Sequence, residues 1–268
     1  MSDPDLELAL ELADVADAIS KPRFRAVDLA VTTKPDLTPV SDADRAAEKA
    51  IRERLAEARP ADAVLGEEFG LGGGTGNGRR WILDPIDGTK NYVRGIPVWG
   101  ALIALERGGE PAVGVVSAPA LGRRWWAARG HGAYADGDRI HVSGVADLGD
   151  AQLSYDSMVG FERHGLGFGP QARELERRCW RSRGLGDFWS HVLVAEGAVD
   201  VAVEPEVSVW DVAPLLVIVE EAGGRFTDIG GARRADGGSA LSTNGLLHDE
   251  VVALFGTATA PAAPATGR

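Results

Sequence analysis

The chain has 268 residues, 44% of them hydrophobic and 25% charged, enough apolar material for one large domain or two closely joined lobes. A formal net charge of -12 argues against a general nucleic-acid or anionic-membrane binder. The one cysteine, Cys179, rules out an intrachain disulfide, and no apolar run approaches the roughly 20 residues of a membrane span. The acidic N-terminus lacks the basic start of a signal peptide, so a cytoplasmic protein is expected.

In chain order, Leu8, Leu12, Val15, Ala16 and Ile19 recur at helical spacing and predict a helix over 5–19. Residues 21–39 read as irregular, with a turn at Thr32-Thr33-Lys34-Pro35-Asp36. A second helix is predicted over 41–58. Ser41 is its cap, Asp44 holds the capping-box position, and Ala43, Ala46, Ala47, Ala50, Ile51 and Leu55 form its apolar stripe. Asp42 and Asp44 fall in its first turn, where favouring the helix dipole is reason enough for both.

The glycine-rich run 71–78 has no strand or helix pattern and lacks both phosphate-loop spacings, so it reads as a lid or linker. Trp81-Ile82-Leu83 reads as a buried strand that ends abruptly in Asp84-Pro85-Ile86-Asp87-Gly88-Thr89. Pro85 biases Asp84 toward extended backbone, Gly88 permits a tight turn, and Thr89 suits the cap of a following helix. Strands follow at 98–105 and 112–117 around the hairpin signal Arg107-Gly108-Gly109-Glu110, then at 124–128 and 133–135.

Residues 136–150 are polar and turn-rich. They suggest a division into lobes 1–145 and 146–256, with 257–268 as a disordered tail. In the second lobe strands are expected at 152–155, 180–183, 199–203, 225–227 and 240–242. Residues 159–169 read as a glycine-rich loop, and helices are expected at 170–178, 187–196 and 248–255. A long helix begins near Asp211, because Pro214 is tolerated only in a first turn, and Gly223 and Gly224 end it. Alternating strands and helices give an α/β protein built in layers.

Glu67, Asp84, Asp87 and Asp211 all fall at predicted element ends, where sites form in such sheets. Clustered carboxylates suit hard divalent cations, and a pair of ions could clamp a phosphate and activate a water. The backbone N–H groups of Gly88 and Thr89 would then face that phosphate. An acidic turn with a capping aspartate explains the same residues without a ligand.

Three segments taken together, GEE at 66–68, WILDPIDGTKNY at 81–92 and WDVAPLLVIVEEAGG at 210–224, resemble the inositol monophosphatase family of Mg²⁺-dependent phosphatases. That resemblance spans about 5–255 and implies an αβαβα sandwich. By position it implies a first metal on Glu67, Asp84 and the Ile86 carbonyl, in the N-terminal lobe. A second is implied on Asp84, Asp87 and Asp211, the last of these supplied by the C-terminal lobe. Thr89 and Asp44 would activate the water, with Glu67 counted among the catalytic residues, and Lys34 would lie near a third, weaker metal position. Mg²⁺ is implied as two or three ions, with Mn²⁺ as the alternative. Phosphate would rest on Gly88, Thr89 and the metals, with Asp87 and Asp211 also at the substrate. Arg183, Asp187 and Glu204 would face its organic part.

Segments 87–99, 117–130, 186–200 and 204–211 are most similar to the histidinol-phosphate phosphatases of that family. Histidinol carries an ammonium and an imidazole, which the carboxylates of Asp187 and Glu204 would suit. Inositol 1-phosphate or a sugar phosphate is the alternative substrate. Asp187 could instead simply cap its helix, His191 reads as a packed or surface histidine rather than a ligand, and Cys179 as an inert core residue. The small phosphate ester is the expected partner, with neither nucleic acid nor membrane, and family members are often oligomeric, so a homodimer is implied.

Overall fold

The computed structural model describes residues 3–256 except 36, 37, 76 and 166. The expected tail at 257–268 lies outside the described residues, as does Asp36 of the expected turn. The chain opens with helix α1 (Pro4–Arg23), a strand pair β1 (Val31–Thr33) and β2 (Pro39–Ser41), and helix α2 (Asp42–Ala58). Strands β3 (Ala63–Gly66), β4 (Gly70–Gly73) and β5 (Arg79–Asp87) then lead to the short helix α3 (Thr89–Arg94). An antiparallel run follows: β6 (Gly100–Arg107), β7 (Glu110–Ala118), β8 (Arg123–Ala128), β9 (Ala133–Ala135) and β10 (Asp138–Ile140). Next come β11 (Gln152–Tyr155), α4 (Gly169–Arg178), β12 (Arg181–Gly184), α5 (Asp187–Ala195) and β13 (Val201–Glu204). The last elements are α6 (Val209–Glu221), β14 (Arg225–Thr227), β15 (Ala240–Thr243) and α7 (His248–Gly256).

Strands β3 to β10 form an eight-stranded sheet ordered β10-β9-β8-β7-β6-β5-β3-β4, parallel only between β3 and β5. A five-stranded sheet is ordered β12-β11-β13-β15-β14. Because side chains alternate along a strand, β5 buries both faces: Trp81 and Leu83 pack toward α1 and α2, and Ile82 toward α5 and α6. α6 also packs on β14 and β15, while Ala172, Leu175, Val251 and Phe255 of α4 and α7 cover the outer face of the smaller sheet. The layers therefore run α1/α2, large sheet, α5/α6, small sheet, α4/α7, which is the αβαβα sandwich expected. No helix among the described residues is long and apolar enough to cross a membrane.

Four local expectations need correction. Part of the glycine-rich run is the edge strand β4, paired antiparallel to β3; its glycines carry no side-chain period to announce it. Residues 21–39 are not wholly irregular, since β1 pairs with β2. Gly88, with φ 78°, caps α3, and Thr89 is its first residue. Helix α6 begins two residues before Asp211, because the Ser208 N–H donates to Asp211 Oδ2 at 2.7 Å and fixes the first turn there. Pro214 thus lies beyond the first turn, with its backbone against Gly114, where an added Cβ would meet Pro214 O at 2.4 Å.

Candidate active site

The β5 ladder is regular to Asp84, opposite Leu102, and resumes at Asp87, opposite Gly100, with a register shift between. Pro85 falls in that shift, having no N–H to give the ladder. The break sets both aspartates at the end of the strand, Asp84 in its last regular pair and Asp87 as its last residue. The Ile86 N–H donates to Asp84 Oδ1 at 3.0 Å, and the Phe188 N–H, from the start of α5, donates to Asp87 Oδ2 at 2.8 Å. Carboxylate oxygens of Asp84, Asp87 and Asp211 come within 4.8 Å of one another.

Such a cluster is electrostatically unfavourable by itself. Burial, and then Glu67, Asp87 and Asp211, push the Asp84 carboxyl well above the usual range; burial, and then Asp187 and Asp211, do the same to Asp87. Asp211 rises to about 7 through burial first, partly offset by its bond from Ser208, and then through Glu67 and Asp187. Three clustered hard oxygen donors, each held by structure yet unneutralised, fit a divalent cation.

Glu67 lies just past β3, its N–H donating to Leu83 O at 3.1 Å. Its Oε1 is 2.7 Å from Lys34 Nζ, which also reaches Glu68 Oε1 at 2.5 Å. Burial alone would lower the lysine pKa, but the two glutamates outweigh it and hold the ammonium above its ordinary value. Lys34 and Glu67 line a cleft of about 540 Å³ together with Asp84, Ile86, Asp87, Thr89 and Asp211.

Thr89 Oγ1 is bound on two sides, 3.0 Å from Ile86 O and 3.2 Å from Asp44 Oδ1. Asp44 is buried at the start of α2, where Ser41 N–H and Oγ–H both donate to its Oδ2. Burial raises its carboxyl to about 6 despite those bonds, and Glu68 and Glu67 add to the rise. Asp42 faces away, pairing with Arg23 at 2.7 Å.

A second chamber of about 620 Å³ adjoins the cleft and shares with it Thr38, Asp87, Lys90, Asp156, Asp187 and Asp211. Its own walls add Glu204, Glu206 and His191. Asp187 makes no helix cap: its φ of 50° is left-handed, and its Oδ2 accepts from Asn91 Nδ2 at 3.1 Å. Strained backbone of this kind recurs at functional sites. Arg183 is not brought in. It is exposed on the edge strand β12, donating to Ser182 O at 2.7 Å, and lines neither chamber.

Sequence reasoning missed several supporting groups. Ser208 stands three residues before Asp211, a capping spacing that was there to be read. His191 stands four after Asp187, on the same helix face. Asn91, which ties Asp187 to Val98 O at 2.9 Å, carries no local signal. Nor does Glu48 of α2, whose buried carboxylate accepts from the N–H groups of Glu68 (2.7 Å) and Phe69 (3.2 Å) behind the metal corner.

The sequence profile of the inositol monophosphatase family matches residues 1–259. The chain is 59% identical to a histidinol-phosphatase of Mycobacterium tuberculosis over 94% of this chain and 98% of that one. It is 54% identical to a histidinol-phosphatase of Streptomyces coelicolor over 92% and 95%. Among solved structures it is similar to a Thermotoga maritima IMPase, with a TM-score of 0.84 and 34% identity over 94% of this chain and 97% of that one.

Proposed function

The chain belongs to the inositol monophosphatase family, a metal-dependent phosphatase family, and from that membership we propose that it hydrolyses L-histidinol phosphate to L-histidinol and phosphate. The observation that carries the chemistry is the convergence of Asp84, Asp87 and Asp211 within 4.8 Å, beside a second, acidic chamber. Glu67, Asp84 and the Ile86 carbonyl would hold one Mg²⁺, and Asp84, Asp87 and Asp211 a second. When bound, such ions neutralise the carboxylates, polarise the phosphoryl group and ease loss of a proton from water.

The remaining work falls to the chain. Thr89, restrained by Ile86 O and Asp44, orients the attacking water, and Asp44 takes up its proton. Gly88 and Thr89 offer backbone N–H groups to the phosphate. A side chain at Gly88 would come within 3.0 Å of Val98 O and 3.3 Å of Asp187 Oδ2, so this approach requires glycine.

The second chamber supports a cationic alcohol. Asp156, Asp187, Glu204 and Glu206 line it against Lys90, the one lysine or arginine among its described lining residues, so an ammonium or imidazolium would relieve their repulsion. Phosphate release from L-histidinol phosphate and inositol 1-phosphate, at matched concentration with Mg²⁺, tests this reading. Preference for the histidinol ester is expected, as is loss of turnover on chelation; preference for the inositol ester would overturn the substrate assignment.

A further inference from the structure

His191 and Glu204 approach each other in the wall of the second chamber without bonding. The His191 ring is fully buried, with Nδ1 2.7 Å from Ser242 Oγ. Its other nitrogen, Nε2, lies 3.8 Å from Glu204 Oε1, beyond hydrogen-bond reach. Neither atom has a hydrogen-bond partner among the described residues, and Glu204 is only 7% exposed. Buried polar atoms are rarely left unpaired, because their desolvation is then uncompensated.

The chemistry of the pair follows from Ser242. That hydroxyl has no other partner among the described residues, so its proton is satisfied by donation to His191 Nδ1. The ring proton is then on Nε2. Burial drives the His191 pKa down to about 4, so the ring is neutral at neutral pH. With its proton on Nε2, the ring sets an N–H dipole 3.8 Å from Glu204 Oε1, and both atoms are closed to solvent, so no ligand atom fits between them. Burial, and then Asp187 and Asp87, push the Glu204 carboxyl well above its ordinary range, and the nearby N–H dipole favours its charged form.

We propose that His191, fixed by Ser242, is a positioning residue that orients Glu204, through which the chamber reads a polar group on the alcohol part of the phosphate ester. The ligand class is a phosphomonoester whose alcohol bears a hydroxyl, amine or imidazole. An aryl ester without such a group draws nothing from the pair. The proposal rests on the phosphatase reading but not on the identity of the alcohol.

The test measures kcat/KM for L-histidinol phosphate, inositol 1-phosphate and phenyl phosphate with Mg²⁺. The quantity read is the ratio of the better polar ester to phenyl phosphate. In His191→Phe that ratio should fall about tenfold, mostly through KM, as expected for loss of a ground-state polar contact. His191→Gln, which restores an N–H donor, should recover part of it. Should His191→Phe fail to fold, Ser242→Ala carries the test, with a fall of about threefold expected from an unfixed tautomer. A ratio held within twofold in the variants, or an equal loss on all esters, overturns the proposal. Wild-type preference for inositol 1-phosphate would overturn the histidinol assignment and leave this ratio just as readable.

Discussion

Thr89 Oγ1 lies 3.2 Å from Asp44 Oδ1, so a hydroxyl at the start of α3 meets a buried carboxylate of α2. A base must be ionised to accept a proton, and burial raises this carboxyl to about 6. Turnover should therefore fall as pH drops through about 6 and level off above it. Asp44→Asn should lower kcat by about 10²–10⁴-fold and remove that acid limb. Thr89→Ala should also be slow, with Thr89→Ser close to wild type. A kcat–pH profile at saturating Mg²⁺ checks this; an unchanged limb in Asp44→Asn would assign the base elsewhere.

Asp211 gives a stability prediction with a definite sign. Its folded pKa, about 7, exceeds the unfolded value. Such a carboxyl contributes stability below its unfolded pKa and loses it as pH rises through the folded one. His191 and His248, both lowered to about 4 with burial the first cause, oppose this weakly, since they are half protonated in the unfolded chain at about pH 6.5 and lose that charge by pH 8.5. Asp84 and Asp87, raised well above the ordinary range with burial the first cause, act in the direction of Asp211. Metal-free protein should accordingly melt lower at pH 8.5 than at pH 6.5, and Mg²⁺ should narrow the gap. Asp211→Asn keeps the acceptor for Ser208 and removes one of the clustered charges. It should raise the metal-free melting temperature at pH 8.5 by about 5 °C, on the order of 2 kcal/mol, and blunt the response to Mg²⁺. Calorimetric scans with and without chelator decide it.

What was legible in the sequence follows from how local each signal is. The Ser41/Asp44 capping box and the Gly108-Gly109 hairpin, with φ of 63° and 85°, are set by neighbours along the chain and read correctly. The alternation of Trp81, Ile82 and Leu83 marked a strand buried on both sides. Place at predicted element ends grouped Asp84 and Asp87 with Glu67 and Asp211 but left them between a metal site and an acidic turn; family resemblance broke that tie. Contacts that cross between elements had no local mark: Phe188 N–H on Asp87, Asn91 on Asp187, Glu48 behind Glu68. Arg183, set at the substrate by the family resemblance, stands on a strand edge and lines neither chamber.

Glu48 is expected to act as the brace of the Glu67 corner. Its carboxylate accepts from two backbone N–H groups and from Arg52 Nε at 2.7 Å, all while fully buried. Glu48→Ala would leave those donors unpaired and should cost roughly 3 kcal/mol. Gly66→Ala attacks the same joint, since an added Cβ would fall 2.0 Å from Glu48 Oε1. Both variants should bind Mg²⁺ more weakly, measured as the Mg²⁺ concentration for half-maximal activity. If Glu48→Ala is destabilised but its Mg²⁺ requirement is unchanged, the brace supports the fold alone.

A close backbone approach between α6 and the large sheet tests how Asp211 is held. An added Cβ at Gly114 of β7 would lie 2.4 Å from Pro214 O and 2.8 Å from its Cα. Those are backbone atoms, so no side chain can swing aside, and α6 itself must move. Overpacking of this kind costs about 1–3 kcal/mol, and a rigid helix puts Gly114→Ala at the upper end, a fall in melting temperature of roughly 6–12 °C. Asp211 lies three residues before Pro214 on the same helix, so the displacement should also raise the Mg²⁺ requirement. Gly108→Ala provides the contrast. Its φ is 63° with nothing within 4 Å of the added Cβ, so it bears backbone strain of about 1–2 kcal/mol without shifting the site. Gly108→Ala should therefore lose some stability at an unaltered Mg²⁺ requirement, and Gly114→Ala should lose both. A Gly114→Ala protein that melts like wild type would mean that α6 is free to slide, and that Asp211 is positioned by Ser208 alone.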